Sequence, residues 1–401
     1  MPTIAITLGA VLSAIALGQS ALTASLLATR KDPRGIYRPL FVFFFANAIA
    51  ELSGVSDAFV AAERSLTLHH ATDLAAILAF TVIAPSIWIY VRALTAEEKI
   101  RYSSGDGWHL AAFLIGIFVC VLLISSPISV REQIIGEGDG PESRQILLIT
   151  LALVLLMLTW IVQAVIYVTK IFLRLVNYRT RLKDIFASTE GRELHWISWV
   201  VSLLAINVLL VIADMFFELP VQLDLISSAL DLSLIWLLSL WGLRATPSIE
   251  NFGEPLSAET AQRSTTLEGK PKTAKYGKSA LTEEHIKRIA ERLDRVMREQ
   301  KIYLEPTLSL RDLAKTISTS PNYVSQTLNT YIGETFFDYV NSWRIKDAVS
   351  MIVGSDESVM NIAYDVGFNS RSSFYKAFKR EMAMTPTAYR AKHISQATPE
   401  T

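Results

Sequence analysis

The chain has 401 residues, of which 51% are hydrophobic and only 19% charged, a balance too apolar for two or three ordinary soluble domains. Its 38 Lys and Arg cancel 38 Asp and Glu; one cysteine, Cys120, excludes an intrachain disulfide scaffold, and 18 Gly with 14 Pro exclude a collagenous or wholly disordered chain.

The apolar residues are concentrated before Ala245. Seven hydrophobic runs, at about 4–27, 37–61, 71–94, 108–130, 146–168, 194–217 and 221–243, are near the length a helix needs to cross ~30 Å of hydrocarbon. Such a series is rare in a soluble bundle, so 1–245 reads as a seven-helix transmembrane sensor domain. The connections after the first, third and fifth runs hold Arg30, Lys31, Arg34, Arg38, Arg92, Lys99, Arg101, Lys170, Arg174, Arg179, Arg181, Lys183 and Arg192. Those on the other side hold only Arg64, Arg131 and Arg144. Basic residues are retained on the cytoplasmic side, which puts the N-terminus outside and the C-terminus inside. With nothing basic before Arg30, the first run reads as a retained anchor rather than a removable signal peptide.

Acids within these runs are the chemically notable feature. Asp57, Asp73, Asp214, Glu218 and Asp224 fall in or near the outer half, while Glu51 and Asp231 lie closer to mid-membrane, and no basic residue is at comparable depth. Ionisable groups at that depth are costly and face a bundle interior or a cavity. Glu51, Asp57, Asp214 and Asp231 are therefore candidate sensing residues for a small ligand or ion: a cation, a proton or an amine-bearing molecule. Asp73, Glu218 and Asp224 equally fit hydrated interfacial positions. His69-His70 beside Asp73 is too sparse for a metal site, and neither metal nor cofactor is expected. The chain has no His-Glu-x-x-His, no P-loop, no Gly-x-Gly-x-x-Gly after a strand and no cysteine pair, so no enzyme is expected.

Residues 246–280 turn to Pro, Ser, Thr, Gly, Glu and Lys, the composition of a flexible linker. Such a coil spans on the order of 30–35 Å, enough to hang a domain below the membrane. Residues 281–393 read as a compact all-helical domain, followed by a disordered tail, 394–401. Thr282 opens an amphipathic helix with Ile286, Ile289, Leu293, Val296 and Met297 on one face. Ser309-Leu310-Arg311-Asp312 fits a capping box, Ser320-Pro321 and Thr385-Pro386 place a cap before a first-turn proline, and Gly333 stops one helix before Thr335 opens a longer one.

The domain contains a repeat. Leu313-Ala314, a turn and Tyr323-Val324-x-x-x-Leu328 are echoed by Ile362-Ala363, Gly367 and Ser373-Phe374-x-x-x-Phe378, one residue longer at the turn. Small Ala314 and Ala363 allow close helix approach, and the residues four apart hold each second helix on its core, giving two helix-turn-helix units. The outward residues are Asn322, Ser325, Gln326 and Asn329 in the first unit. In the second they are Ser370, Arg371, Ser372, Tyr375, Lys376, Lys379 and Arg380. Amides pair with adenine and guanidinium with guanine in a major groove, while Lys379 and Arg380 near the helix end suit phosphates.

Gly367-Phe368-Asn369-Ser370-Arg371-Ser372-Ser373-Phe374-Tyr375-Lys376-Ala377-Phe378-Lys379-Arg380, continuing to Thr385-Pro386-Thr387-Ala388-Tyr389-Arg390, closely resembles the signature of the AraC/XylS family of bacterial transcription regulators. The resemblance covers about 110 residues. It implies seven helices, two recognition helices in adjacent major grooves of promoter DNA joined by the long helix around Trp343, and control of transcription with RNA polymerase as a partner. Its contact positions fall on Asn322, Ser325 and Gln326, and on Arg371, Ser372 and Lys376. Ala383 departs from it where the family usually has glycine; if φ is positive there, alanine is strained by roughly 1 kcal/mol or more.

The expected protein is all-α: a seven-helix transmembrane bundle in the bacterial inner membrane, followed by a cytoplasmic tandem helix-turn-helix domain. It reads as a one-component regulator that senses a signal in or across the lipid bilayer and binds promoter DNA, with a homodimer as a natural way to raise effective concentration over paired half-sites. The alternative is a transporter-like protein with an autoregulatory DNA-binding domain. Transporters show matched Gly/Pro-broken helices in two halves; here Pro85 is the only proline well inside a run and no pairing of halves is evident.

Overall fold

The structure, a computed structural model, describes residues 2–32, 35–63, 66–96, 104–135, 144–190, 194–217, 221–245 and 282–397. The expected linker lies outside them. All elements among the described residues are helical, and the chain forms two compact units, residues 1–176 with 194–250 and residues 177–193 with 251–401.

The apolar unit is built from α1 (Pro2–Thr29), α2 (Tyr37–Glu63), α3 (Leu66–Leu94), α4 (Ala111–Ser125), the short α5 (Ile128–Ile135), the first part of α6 (Arg144–Ile185), α7 (His195–Phe217) and α8 (Val221–Gly242). Among the described residues six helices are long and apolar enough to cross a membrane; in α7, which matches the sixth expected run, the apolar stretch is His195–Leu210. The fourth run also ends earlier than its hydrophobicity suggests. Ser126 caps α4 in extended conformation, and Pro127, which lacks an N–H, separates it from α5.

Helix α1 packs through small residues. Ala16, Ser20, Thr23, Ala24 and Leu27 are buried at helical spacing, which lets backbones approach closely. Polar atoms on that face are used across helices: Thr23 Oγ1 and Ser239 Oγ lie 2.9 Å apart, Gln19 Nε2 donates to Ser239 Oγ at 2.9 Å, and Tyr90 Oη donates to the Gly242 carbonyl at 3.2 Å. Leu114, Phe118, Val121 and Ile124 of α4, and Leu147, Leu151, Leu155, Leu158 and Val162 of α6, are exposed. Apolar surface that continuous marks contact with a membrane or with another protein.

The second unit holds α9 (Glu283–Gln300), α10 (Leu310–Thr316), α11 (Pro321–Gln326) with a π turn at Thr327–Ile332, α12 (Phe336–Gly354), α13 (Val359–Asp365), α14 (Arg371–Met382) and α15 (Pro386–Ala397). These are seven α-helices between Glu283 and Ala397. Helix α15 continues through 394–397, where a tail was expected. Two cores form. Ile289, Leu293, Leu313, Ala314, Val324, Leu328 and Phe336 fill one, and Ile345, Ile352, Ile362, Ala363, Phe374 and Phe378 the other, so α12 serves both. At the junction Arg344 is fully buried and gives its donors to backbone: Nε to the Tyr303 carbonyl at 2.7 Å and Nη2 to the Glu305 carbonyl at 2.8 Å. Burial pushes its guanidinium down to about 10, so it stays charged at neutral pH.

Candidate functional site

Local chemistry sets the recognition helices. In the first unit Ser309 and Asp312 form the expected capping box on α10. Ser320 Oγ accepts from the Tyr323 amide at 3.3 Å at the start of α11, with Pro321 in the first turn. In the second, Ser358 caps α13 and Ser370 caps α14 through the Ser373 amide at 3.3 Å. The turns correspond: Thr319 N donates to the Ala314 carbonyl at 2.9 Å, and Phe368 N to that of Ala363 at 3.0 Å. The left-handed residue is Ser318 (φ 53°) in one and Gly367 (φ 92°) in the other. Gly367 is doubly constrained, because a Cβ there would lie 2.7 Å from the Leu304 carbonyl oxygen. Thr282 occupies the N-cap of α9 without a side-chain cap bond, unlike the other caps.

Asn322, Gln326 and Asn329 are exposed and Ser325 half-buried; Arg371, Ser372, Lys376, Lys379 and Arg380 are exposed, with Ser370 and Tyr375 half-buried. The residues read as outward-facing thus reach the surface of their helices. Three arrangements differ from the sequence reading. Asn329 belongs to the π turn rather than to α11 proper, and its Nδ2 donates back to Ser325 Oγ at 3.3 Å. Arg380, read as a phosphate ligand, pairs with Asp338 and with Glu381 at 2.9 Å, so a phosphate would have to displace two carboxylates. Arg371 folds over the Tyr375 ring, 4.9 Å from its centroid, and reaches the phenol oxygen at 3.4 Å. Thr387 beside that oxygen, together with Arg371, lowers the Tyr375 phenol pKa against the opposing effect of burial.

A further residue had no signal in the sequence. Glu190 accepts a hydrogen bond from Ser370 Oγ and another from Ser373 Oγ at 2.5 Å, at the amino end of α14. It belongs to 177–193, a stretch that looks like an ordinary basic connection but folds with the second unit.

In the apolar unit, Glu51 of α2 and Asp231 of α8 line one cavity of about 630 Å³, together with Ser13, Asn47, Trp160 and Asn207. Asn207 Nδ2 donates to Asp231 Oδ1 at 2.8 Å, and Ser13 hydrogen-bonds Glu51. The described lining includes no Lys, Arg or His. Asp73 is elsewhere, accepting from Ser53 Oγ and lining a separate cavity of about 170 Å³ with Arg131. Asp57 and Asp214 lie on α2 and α7, and their side chains, with that of Asp224, are outside the described ones, as is Glu218.

Residues 313–392 match the family described as "Helix-turn-helix domain". Over 99 residues the chain is 33% identical to the regulatory protein PocR of Salmonella typhimurium, covering 25% of this chain and 33% of that protein. Over 91 residues it is 31% identical to the uncharacterized HTH-type transcriptional regulator YtdP of Bacillus subtilis, covering 23% and 12%. The chain therefore spans a third or less of the length of these curated relatives. Among solved structures, the C-terminal domain of AraT, a response regulator from Geobacillus stearothermophilus, is similar at 24% identity and a TM-score of 0.24, over 26% of this chain and 84% of that one. The repeated caps, the paired turns and the family match fall on the same residues, and the C-terminal part of this chain is a helix-turn-helix domain of the AraC type.

Proposed function

We propose that the protein is a membrane-embedded one-component transcription regulator, in which the apolar unit senses a signal and the C-terminal domain binds promoter DNA. The observation that carries this reading is the pair of polar helix faces on one duplicated scaffold, in a chain whose described residues include six helices long and apolar enough to cross a membrane. Asn322, Ser325, Gln326 and Asn329 contact one major groove, and Ser370, Arg371, Ser372, Tyr375 and Lys376 the next; Lys379 and Arg380 meet phosphates. The excess of basic residues in alternate connections supports a C-terminus in the cytoplasm of a bacterial inner membrane.

Sensing falls to the cavity holding Glu51 and Asp231, with Asp57 on the helix of Glu51 and Asp214 on α7, the helix of the cavity residue Asn207. Two carboxylates among apolar walls favour a cation, a proton or an amine-bearing molecule. Such a ligand shifts DNA affinity only by binding two states of the unit unequally, and dimerisation over paired half-sites is one carrier of that shift. The test is a genome-wide footprint of the full-length protein, followed by binding of the recovered promoters to the same protein in lipid nanodiscs. Salt-sensitive binding that Lys376→Ala weakens supports the reading. Failure to footprint any promoter, or a C-terminal tag found outside the inner membrane, overturns it. Glu51→Gln and Asp231→Asn are expected to change the reporter response to the inducing condition while leaving protein level unchanged.

A further inference from the structure

The connection that follows α6 is placed on the very helix the DNA must reach. Phe186 forms an antiparallel bridge with Ser309, the Ala187 amide donates to the Leu308 carbonyl at 3.1 Å, and Asn341 Nδ2 donates to the Ala187 carbonyl at 3.4 Å. Ala187 is 1% exposed and part of the core of the first helix-turn-helix unit. From that anchor the chain reaches the other unit, where Glu190 takes both Ser370 Oγ and Ser373 Oγ. The segment thereby fastens to both halves of the domain.

We propose that residues 186–190 form an autoinhibitory latch, in which Glu190 holds the amino end of the second recognition helix against DNA. A helix amino terminus offers N–H groups and a positive dipole end to an anion, which is why phosphates settle there. The Glu190 carboxylate already occupies that end, held by the hydroxyls of Ser370, which is assigned to the groove, and of Ser373. A DNA phosphate brought to the same place meets a fixed negative charge instead of donors. Binding therefore requires Glu190 to leave, and DNA affinity is reduced by the free energy of the contact. In the chain, the latch follows directly on the end of α6 at Ile185, so a change in that helix has a short covalent route to the recognition surface.

This inference rests on the reading of that surface as DNA-binding, and the test separates the two. Full-length protein in lipid nanodiscs is titrated with a footprinted promoter duplex, as wild type, Glu190→Gln and Glu190→Ala, each with and without Lys376→Ala. Release of the latch is expected to tighten binding about tenfold, within the usual range of intramolecular coupling. A second pair, Glu190→Cys with Ser373→Cys joined by a short bis-maleimide, is expected to lose DNA binding when joined and to regain it when the linker is omitted. Equal affinity of wild type and both Glu190 variants overturns the latch alone, as does undiminished binding by the joined pair. Binding by none of the proteins, or binding indifferent to Lys376→Ala in every background, overturns the DNA-binding reading and the latch with it.

Discussion

The two helix-turn-helix units share a scaffold and divide its work. In the first, a serine caps a proline-started helix, the turn uses Ser318 at positive φ, and the exposed face is Asn322, Gln326 and Asn329 without a charge. In the second, the turn uses Gly367 under two backbone carbonyls, and the face carries Arg371, Lys376, Lys379 and Arg380. Uncharged amides discriminate bases but supply little affinity; cations supply affinity and steering with less discrimination. The charged unit is also the one that meets carboxylates from elsewhere in the fold, Glu190 at its start and Asp338 on Arg380. Duplication fixed the geometry, and side chains outside the repeat made the copies unequal.

The sharpest way to break the correspondence is at the turns. Gly367→Ala forces a Cβ against the Leu304 carbonyl at positive φ and is expected to cost ~3 kcal/mol or more in chemical denaturation, whereas Ser318→Gly in the first unit is expected to stabilise by ~0.5–1 kcal/mol. Next in size is the junction. Arg344→Met leaves the Tyr303 carbonyl without its donor and the Glu305 carbonyl with only the Leu308 amide, and is expected to cost ~2–3 kcal/mol, melting both units together in calorimetry. The division of labour itself is tested by affinity: Gln326→Ala is expected to lose ~1–3 kcal/mol only on the preferred sequence, while Lys379→Ala weakens all sequences alike and lowers the salt slope by about one. The last effect concerns the end of α14, where Ala383 does adopt the left-handed conformation, at φ 59° and ψ 5°. Ala383→Gly is expected to raise the melting temperature with a gain of ~1 kcal/mol.

Much of the second unit was legible because its signals are local. Ser309 with Asp312, Ser320 with Pro321, and Thr335 with Asp338 act within one helical turn, so reading three or four consecutive residues suffices. The interior spacing of Ile289, Leu293, Val296 and Met297 likewise names the buried face of α9, although Ile286 is only half-buried. The apolar unit was legible as runs but not as helix ends. Hydrophobicity stops near 168, yet α6 continues to Ile185 through Lys170, Arg174, Arg179 and Arg181, since polar residues extend a helix as readily as apolar ones. The acids show the same limit. Glu51 and Asp231 are 180 positions apart and share a cavity, and Asp73, only 22 positions from Glu51, does not line it.

Residue order alone determined the class of each half: period, caps and composition act over a few residues, and they yielded the apolar helices, the repeat and its exposed faces. Tertiary structure alone decided which distant groups meet. A buried Arg344 reads as a surface arginine until the Tyr303 and Glu305 carbonyls are brought to it, and Glu190 reads as a loop acid until it is placed on Ser370 and Ser373. The physical reason is that hydrogen bonds and charges act over a few ångströms in space, whatever the separation along the chain, and only the folded backbone sets that distance.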